Sequence, residues 1–370
     1  MPTTRAARRA AAERQLLELP ADVLGLVLYQ LTLAHDIAAV APTCHALCDA
    51  AKLARKLRPF SPEVVMLNGV GGSIRDVEPS ADGLIFVPSH DGVNVWSGNA
   101  CVRSIQLDRG VDRLAMLNGV LVNTCRNGQH LRAVTLDGAH KRTIAVAAAN
   151  EWFFFNCIAA LPDGVHFAVG LGRLGNNEVR LYHVDGTLVH TFKGHTGSVY
   201  AVAVTPDGQH IISGSEDKLV KVWNVANKSL VTTCAGHNQA IWSVAVMPDG
   251  HRILSGACYR DPGTGLVAPI RMHRLDGTPV RTFLHHEGTA TAMDLAPLPD
   301  NTHVLSASRD YTVKLFNVND GAVLRTFNAA EPSMRNRAFM CLALLPDGLR
   351  FVSGAEDGTA RIIYHGLAPA

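Results

Sequence analysis

The sequence predicts a mainly β fold, a ring of seven four-stranded sheets preceded by a small all-α segment. Three observations predict it: a turn that returns seven times, period-two apolar runs on both sides of that turn, and helical spacing confined to the first sixty residues. Pro-Asp-Gly or a near copy recurs as "SADG" (80–83), "LPDG" (161–164), "TPDG" (205–208), "MPDG" (247–250), "LPDN" (298–301) and "LPDG" (345–348), with a weaker "LNG" (117–119) filling the one wide gap. Counted from the Asp or Asn, the turns fall at 82, 118, 163, 207, 249, 300 and 347, intervals of 36, 45, 44, 42, 51 and 47 residues. Pro presets φ, Asp caps its own turn and Gly accepts positive φ, so the tripeptide suits a tight reversal.

Each copy reads as four strands. An alternating run precedes the turn ("VYAVAV", 199–204; "IWSVAV", 241–246), and a run ending on small residues follows it ("HIISGS", "RILSGA", "HVLSAS", "RFVSGA"). Then come "VKVWNV", "VKLFNV" or "VRLYHV" and a fourth run such as "LVTTCAG". Four strands cannot bury both faces alone, so copies must stack, and seven arranged radially close a ring. The last copy stops after its third strand, "ARIIYHG" (360–366), while "PEVVMLNG" (62–69) lies upstream with no other partner. Pairing these two completes the ring, with residues 63–68 closing the last sheet, and removes an open edge.

Apolar residues make up 47% and charged residues 18% of the 370, a globular balance. Residues 1–60 hold eight Lys/Arg against five Asp/Glu, and the remainder is near neutral, which argues against nucleic acid as a partner. No apolar run approaches the ~18–20 residues of a membrane span. The eight cysteines are scattered without a CxxC pair, so they read as reduced thiols of a protein in the cytoplasm and/or nucleus, with no metal expected. "MPTTRAARRAAAERQ" (1–15) reads as a basic tail rather than a transit peptide. No cofactor is expected: "GLGRLGNN" (170–177) spans a turn between strands, not the strand-to-helix step of a phosphate loop.

His195, Ser213, Asp217 and Trp223 pose a choice between a catalytic His/Ser/Asp set and a structural brace. A triad is needed once, but Ser306 and Asp310 recur in register with Phe316 in the Trp place, and Ser353 and Asp357 recur with Ile363 there. The brace reading follows, with no catalytic residue. "GHTGSVYAVAVTPDGQHIISGSEDKLVKVWNV" (194–225) and "GHNQAIWSVAVMPDGHRILSGA" (236–257) resemble WD40 repeats, although no copy carries the literal Trp-Asp dipeptide. The resemblance implies a seven-bladed β-propeller over 63–366 in which His, Ser, Asp and Trp form a buried hydrogen-bond chain within a blade. The first three copies depart furthest from the pattern.

Residues 16–57 have a different period. Leu24, Val27, Leu28 and Leu31 share one helical face opened by Pro20, and Ile37, Val40, Cys44, Leu47 and Cys48 mark a second run that Pro42 divides. "LPADVLGLVLYQL" followed by "HDIAAVAPTCHAL" resembles the F-box, without its usual late Trp. That resemblance implies that Leu19, Pro20, Val23, Leu24, Val27, Leu28 and Ile37 dock a Skp-type adaptor, and through it a cullin–RING ubiquitin ligase core. The chain would then be a substrate-recognition subunit that is not itself an enzyme. The alternative is a helical cap on a WD-repeat interaction scaffold with no ligase role.

A substrate receptor needs a client face. Aligning every first strand on Val199–Val204 places Arg75, Asp112, Asn156, Tyr200, Trp242, Thr291 and Met340 at equivalent points, and the residue before each brace Asp adds His90, Glu216, Arg309 and Glu356. Arg309, Arg335, Arg337 and Arg75 come from copies six, seven and one, contiguous in a closed ring. Such a cluster suits a phosphorylated client, and scattered surface arginines are the other reading.

Overall fold

The computed structural model describes residues 65–67, 73–98, 100–107, 110–125, 130–138, 141–146, 154–172, 176–258, 269–286, 292–328 and 338–367. The chain divides into two units, 1–63 and 64–370, and the described residues all belong to the second. The basic tail and the F-box-like segment therefore lie outside the described residues.

Twenty-eight strands among the described residues form seven four-stranded antiparallel sheets. Blades 1 to 6 are simple meanders over 78–106, 111–146, 154–192, 199–234, 241–283 and 292–328. Blade 7 takes three strands from the chain's end, Phe339–Leu344, Arg350–Ala355 and Ala360–Tyr364, and its outer strand from Val65–Leu67. The pairing is antiparallel, with Val65 opposite Ile362, Met66 opposite Arg361 and Leu67 opposite Ala360. Ring closure continues inside: Ile74 N–H donates to Ala355 O at 3.0 Å, and Leu67, Ile74, Val77 and Trp96 share one buried cluster with Cys341, Val352 and Ile362.

Local chemistry explains the blade unit. In blade 4 the turn after Val199–Val204 closes through Gly208 N–H to Thr205 O at 2.8 Å, and Asp207 Oδ1 accepts from Gln209 N–H at 2.9 Å. Gly208 sits at φ 70°, which a Cβ disfavours. The second strand, His210–Ser215, is buried from Ile211 to Ser215, whereas the outer strand Ser229–Cys234 exposes Ser229 to Val231. Gly214 explains why Ser-Gly recurs: a Cβ there would lie 2.6 Å from Ile241 Cγ2 of blade 5. The glycine lets neighbouring sheets approach, and Ile212 and Val222 pack with Ile241, Val244 and Ile253 across that boundary.

Candidate interaction face

The His/Ser/Asp/Trp set resolves first. Trp223 Nε1–H donates to Ser213 Oγ at 2.8 Å, Ser213 Oγ lies 2.8 Å from His195 Nε2, and His195 Nδ1 lies 2.7 Å from Asp217 Oδ2. The chain is self-consistent when Ser213 accepts from Trp223 and donates to His195, and His195 donates to Asp217. Asp217 also accepts from Thr196 N–H and Leu219 N–H, both at 3.0 Å. Burial opposes its ionisation, but the His195 bond and these N–H groups outweigh it and hold the carboxyl below its ordinary value. A catalytic serine needs an open Oγ, and Ser213 is fully buried. The set is a brace that ties the second and third strands of one blade to the segment entering its first strand.

The brace repeats incompletely. Blade 6 has it through His286, whose Nδ1 lies 2.8 Å from Asp310 Oδ2 and Nε2 2.7 Å from Ser306 Oγ. His286 is absent from the sequence reading because "FLHHEG" lacks the Gly-His pair, yet Phe283 to His286 matches the spacing of Phe192 to His195. Blade 5 keeps His237 Nε2 to Ser255 Oγ at 2.7 Å, but among the described residues His237 Nδ1 is buried without a partner, and burial with nearby Arg271 pushes its pKa down to about 3. In blade 1 Trp96 occupies the Trp place with Val87 where Ser213 stands in blade 4, and among the described residues its Nε1 has no partner. Ser353 Oγ in blade 7 is likewise buried, with no partner among the described residues.

The innermost strands define the ring's axis, and their registers share one irregularity. A β-bulge falls between Val111 and Arg113, Phe155 and Cys157, Val199 and Ala201, Ile241 and Ser243, Ala292 and Asp294, and Phe339 and Cys341. The skipped residues are Asp112, Asn156, Tyr200, Trp242, Met293 and Met340. A bulge re-aims a side chain out of the ladder, so six consecutive blades each present one residue at the same end of the ring. Thr291, aligned with this set from sequence, lies outside the described residues. The register gives its place to Met293, because Ala292 pairs with Ser308 as Val199 pairs with Ser215.

The turns between second and third strands border this end. Glu216 N–H donates to Ser198 O at 2.8 Å and Glu356 N–H to Ala338 O at 3.0 Å, which ties each turn to the start of its blade's innermost strand. Tyr200 and Trp242 pack with ring centroids 5.0 Å apart and both are half-buried. Met293 and Met340 continue the arc, half-buried. Arg75 is exposed and pairs with Asp112 at 3.4 Å. Asn156 does structural work instead: its Nδ2 donates to Val199 O of the next blade at 3.0 Å. Arg309 is exposed at the turn of blade 6, and His90 lies 2.6 Å from Asp91 Oδ1. Arg335 and Arg337 lie outside the described residues, as do Leu19, Pro20, Val23, Leu24, Val27, Leu28 and Ile37.

One residue further along each innermost strand, side chains stitch blade to blade. Asp76 accepts from Leu114 N–H at 2.8 Å, Arg113 Nη1 donates to Arg75 O at 2.7 Å, and Asp294 accepts from Leu342 N–H at 2.7 Å. Ser243 Oγ donates to Ala292 O at 3.2 Å, and Cys341 Sγ to Ile74 O at 3.8 Å across the closure. Burial pushes Asp76 up to about 6 and Asp294 to about 7. Burial together with the Asp76 charge pushes Glu78, bound to Met116 N–H at 3.2 Å, to about 8. These axial acids carry no signal in the repeat pattern. Among the described residues no group of three or more His, Cys, Asp or Glu is placed to hold a metal ion, and no helix is long and apolar enough to cross a membrane.

Comparison with known proteins agrees with this geometry. The WD domain, G-beta repeat family model (WD40) matches residues 186–224, 228–261, 277–317 and 324–363. Three of the four matches run from the outer strand of one blade through the third strand of the next, and the match 228–261 ends after the second strand of blade 5, so the sequence repeat straddles the blade boundary. Nuclear distribution protein PAC1 of Arthroderma otae is 30% identical over 47% of this chain and 37% of its own length. The periodic tryptophan protein 2 homolog of Dictyostelium discoideum is 27% identical over 58% of this chain and 16% of its own. The chain therefore spans well under two thirds of the length of these relatives. Among solved structures, the WD40 β-propeller domain of Doa1 superposes with a TM-score of 0.66 at 18% identity, covering 82% of this chain and 97% of that one. The chain carries WD40 repeats on a seven-bladed β-propeller.

Proposed function

We propose that this propeller is a protein-recognition module and that the end bearing the six bulges is its partner face. The observation that carries the reading is the repeated bulge, which turns Tyr200, Trp242, Met293 and Met340 out of four consecutive ladders. Aromatic side chains and methionine are enriched at protein interfaces, and a contiguous arc of them is what a partner buries. The buried brace, sealed from solvent in blades 4 and 6, supports binding rather than catalysis as the task of the ring.

We further propose that residues 16–57 act as an F-box, docking a Skp-type adaptor through Leu19, Pro20, Val23, Leu24, Val27, Leu28 and Ile37, so that the propeller selects clients for a cullin–RING ubiquitin ligase. Support for this step is the sequence alone: the Leu-Pro-x-Asp-Val-Leu opening and the aliphatic spacing after it. The test is direct binding of the purified full chain to a purified Skp-type adaptor, beside a Leu24→Asp/Leu28→Asp variant. Retention by the wild type and loss by the variant supports the receptor. Failure of the wild type to bind removes the ligase role and leaves the propeller as an interaction scaffold. That second reading is favoured by the relatives, whose names describe nuclear distribution and, for a 42% identical stretch of 67 residues, intraflagellar transport (the protein 122 homolog of Xenopus tropicalis).

A further inference from the structure

The inner strands distribute charge unevenly about the axis. At the residue after each bulge, blades 2 and 6 carry Arg113 and Asp294, blades 3 and 7 the thiols Cys157 and Cys341, and blades 4 and 5 the neutral Ala201 and Ser243. Blade 1 supplies Asp76, which accepts from Leu114 N–H of blade 2 as Asp294 accepts from Leu342 N–H of blade 7. Two residues on, blades 2 to 7 all place alanine and blade 1 places Glu78. The tier after that, from Ser80 round to Leu345, carries no charge. At the bulge end Arg75 and Asp112 offset each other at 3.4 Å. Burial keeps Cys157 and Cys341 neutral by raising both thiols. Among the described residues the two axial tiers therefore hold three carboxyl groups and one cation, Arg113.

Asp294 and Asp76 lie on either side of blade 7, the blade that takes strands from both ends of the ring. On one side Asp294 Oδ2 holds Leu342 N–H at 2.7 Å. On the other, Cys341 Sγ donates to Ile74 O at 3.8 Å, two residues before Asp76. Arg113 comes from blade 2, beyond Asp76, and its Nη1 donates to Arg75 O at 2.7 Å. One guanidinium serves three acids, so ionising both aspartates leaves uncompensated negative charge on the axis. The acidities agree with this layout. Burial pushes Asp294 up to about 7 against the Leu342 and Leu295 N–H groups, and the Asp76 charge adds to the rise. Burial likewise pushes Asp76 up to about 6, against Arg113.

We infer that Asp76 and Asp294 form a proton-operated latch on blade 7, which docks when the pair is protonated and opens as a unit when both are ionised, while the rest of the ring stays closed. Opening is easiest at this blade, whose outer strand is only Val65–Leu67, and it returns both carboxylates to water. In the open blade the two acids regain the ordinary value of 3.8. Docking is therefore favoured most below pH 3.8 and loses ground as pH rises through about 6 at Asp76 and about 7 at Asp294. Glu78 stands outside the latch, because its bond to Met116 N–H faces blade 2 and not blade 7.

The test is native-state hydrogen exchange of the full-length chain at pH 5.5 and 8.5, read as protection factors so that the pH dependence of intrinsic exchange divides out. Strands Phe339–Leu344 and Arg350–Ala355 of blade 7 should lose protection by about tenfold or more at the higher pH, and strand His210–Ser215 of blade 4 by less than about threefold. Asp294→Asn should bring the blade 7 loss under about threefold. Should that chain not fold, Asp76→Asn carries the test, since removing the facing charge should shrink the same loss. Equal losses in blades 4 and 7 would mean that the acids act on the ring as a whole, and the latch is then overturned. It is also overturned by a blade 7 profile that is flat in the wild type, or that the folded variants leave unchanged.

Discussion

Ser213 is the residue on which blade 4 turns, because its one oxygen serves both Trp223 Nε1 and His195 Nε2 with no solvent access. Replacing it by alanine orphans two buried polar groups at roughly 1–3 kcal/mol each. Ser213→Ala should therefore lower stability by about 2–4 kcal/mol, read as a shifted urea midpoint, and a loss under about 1 kcal/mol would mean the brace is slack. Glu78 makes the opposite case, a half-buried acid whose desolvation beside Asp76 favours the protonated form. Its pKa is raised from 4.5 to about 8, so its favourable contribution is complete below pH 4.5 and is lost as pH climbs toward 8. The wild type should lose on the order of 2–4 kcal/mol from this group across that window. Glu78→Gln should flatten the dependence and be the more stable protein at pH 8.5. Thermal midpoints from pH 5 to 8.5 decide it, and parallel curves would contradict the assignment.

At the scale of the element, the spacing between sheets matters as much as the strands. Gly214 faces Ile241 and Val244 of the next blade at distances that leave no room for a methyl group. Gly214→Ala should cost about 1–3 kcal/mol by overpacking, seen in the same denaturation experiment, whereas the equivalent point in blade 6 already holds Ala307. Elements also show what a sequence can announce. Pro-Asp-Gly is legible because a tight reversal is decided by three adjacent residues, and the structure puts a turn at every copy. The brace was half legible: Ser306 and Asp310 stood out, but His286 hid behind a Gly-to-His change at 285 that alters the motif without altering the geometry. The bulges were not legible at all. A bulge is a property of register between two strands, so the alignment that found Tyr200 and Trp242 misplaced its sixth member at Thr291. The axial acids Asp76 and Asp294 were missed for a related reason, since their partners are backbone N–H groups of neighbouring blades rather than residues nearby in sequence.

The whole ring depends on three residues, Val65–Leu67, that close blade 7 from the other end of the chain. Met66 stands opposite Arg361 in that ladder, and a proline there removes a donor and clashes within the strand. Met66→Pro should free the edge formed by Ala360–Tyr364, lower the thermal midpoint by several degrees and, through the exposed edge, promote self-association visible by light scattering. A monomeric variant of unchanged midpoint would show that the inner contacts at Ile74 and Cys341 suffice. The closed ring also sets the logic of function, because it fixes Tyr200, Trp242, Met293 and Met340 as one surface while the F-box-like residues occupy a separate part of the sequence. The two proposed partners should therefore be separable. The most direct measurement is quantitative affinity purification from cells of the wild-type chain, a Tyr200→Ala/Trp242→Ala variant and a Leu24→Asp/Leu28→Asp variant. The first variant should keep the Skp-type adaptor and lose a defined set of other proteins, while the second should do the reverse. Variants that lose both sets together, or neither, would contradict it.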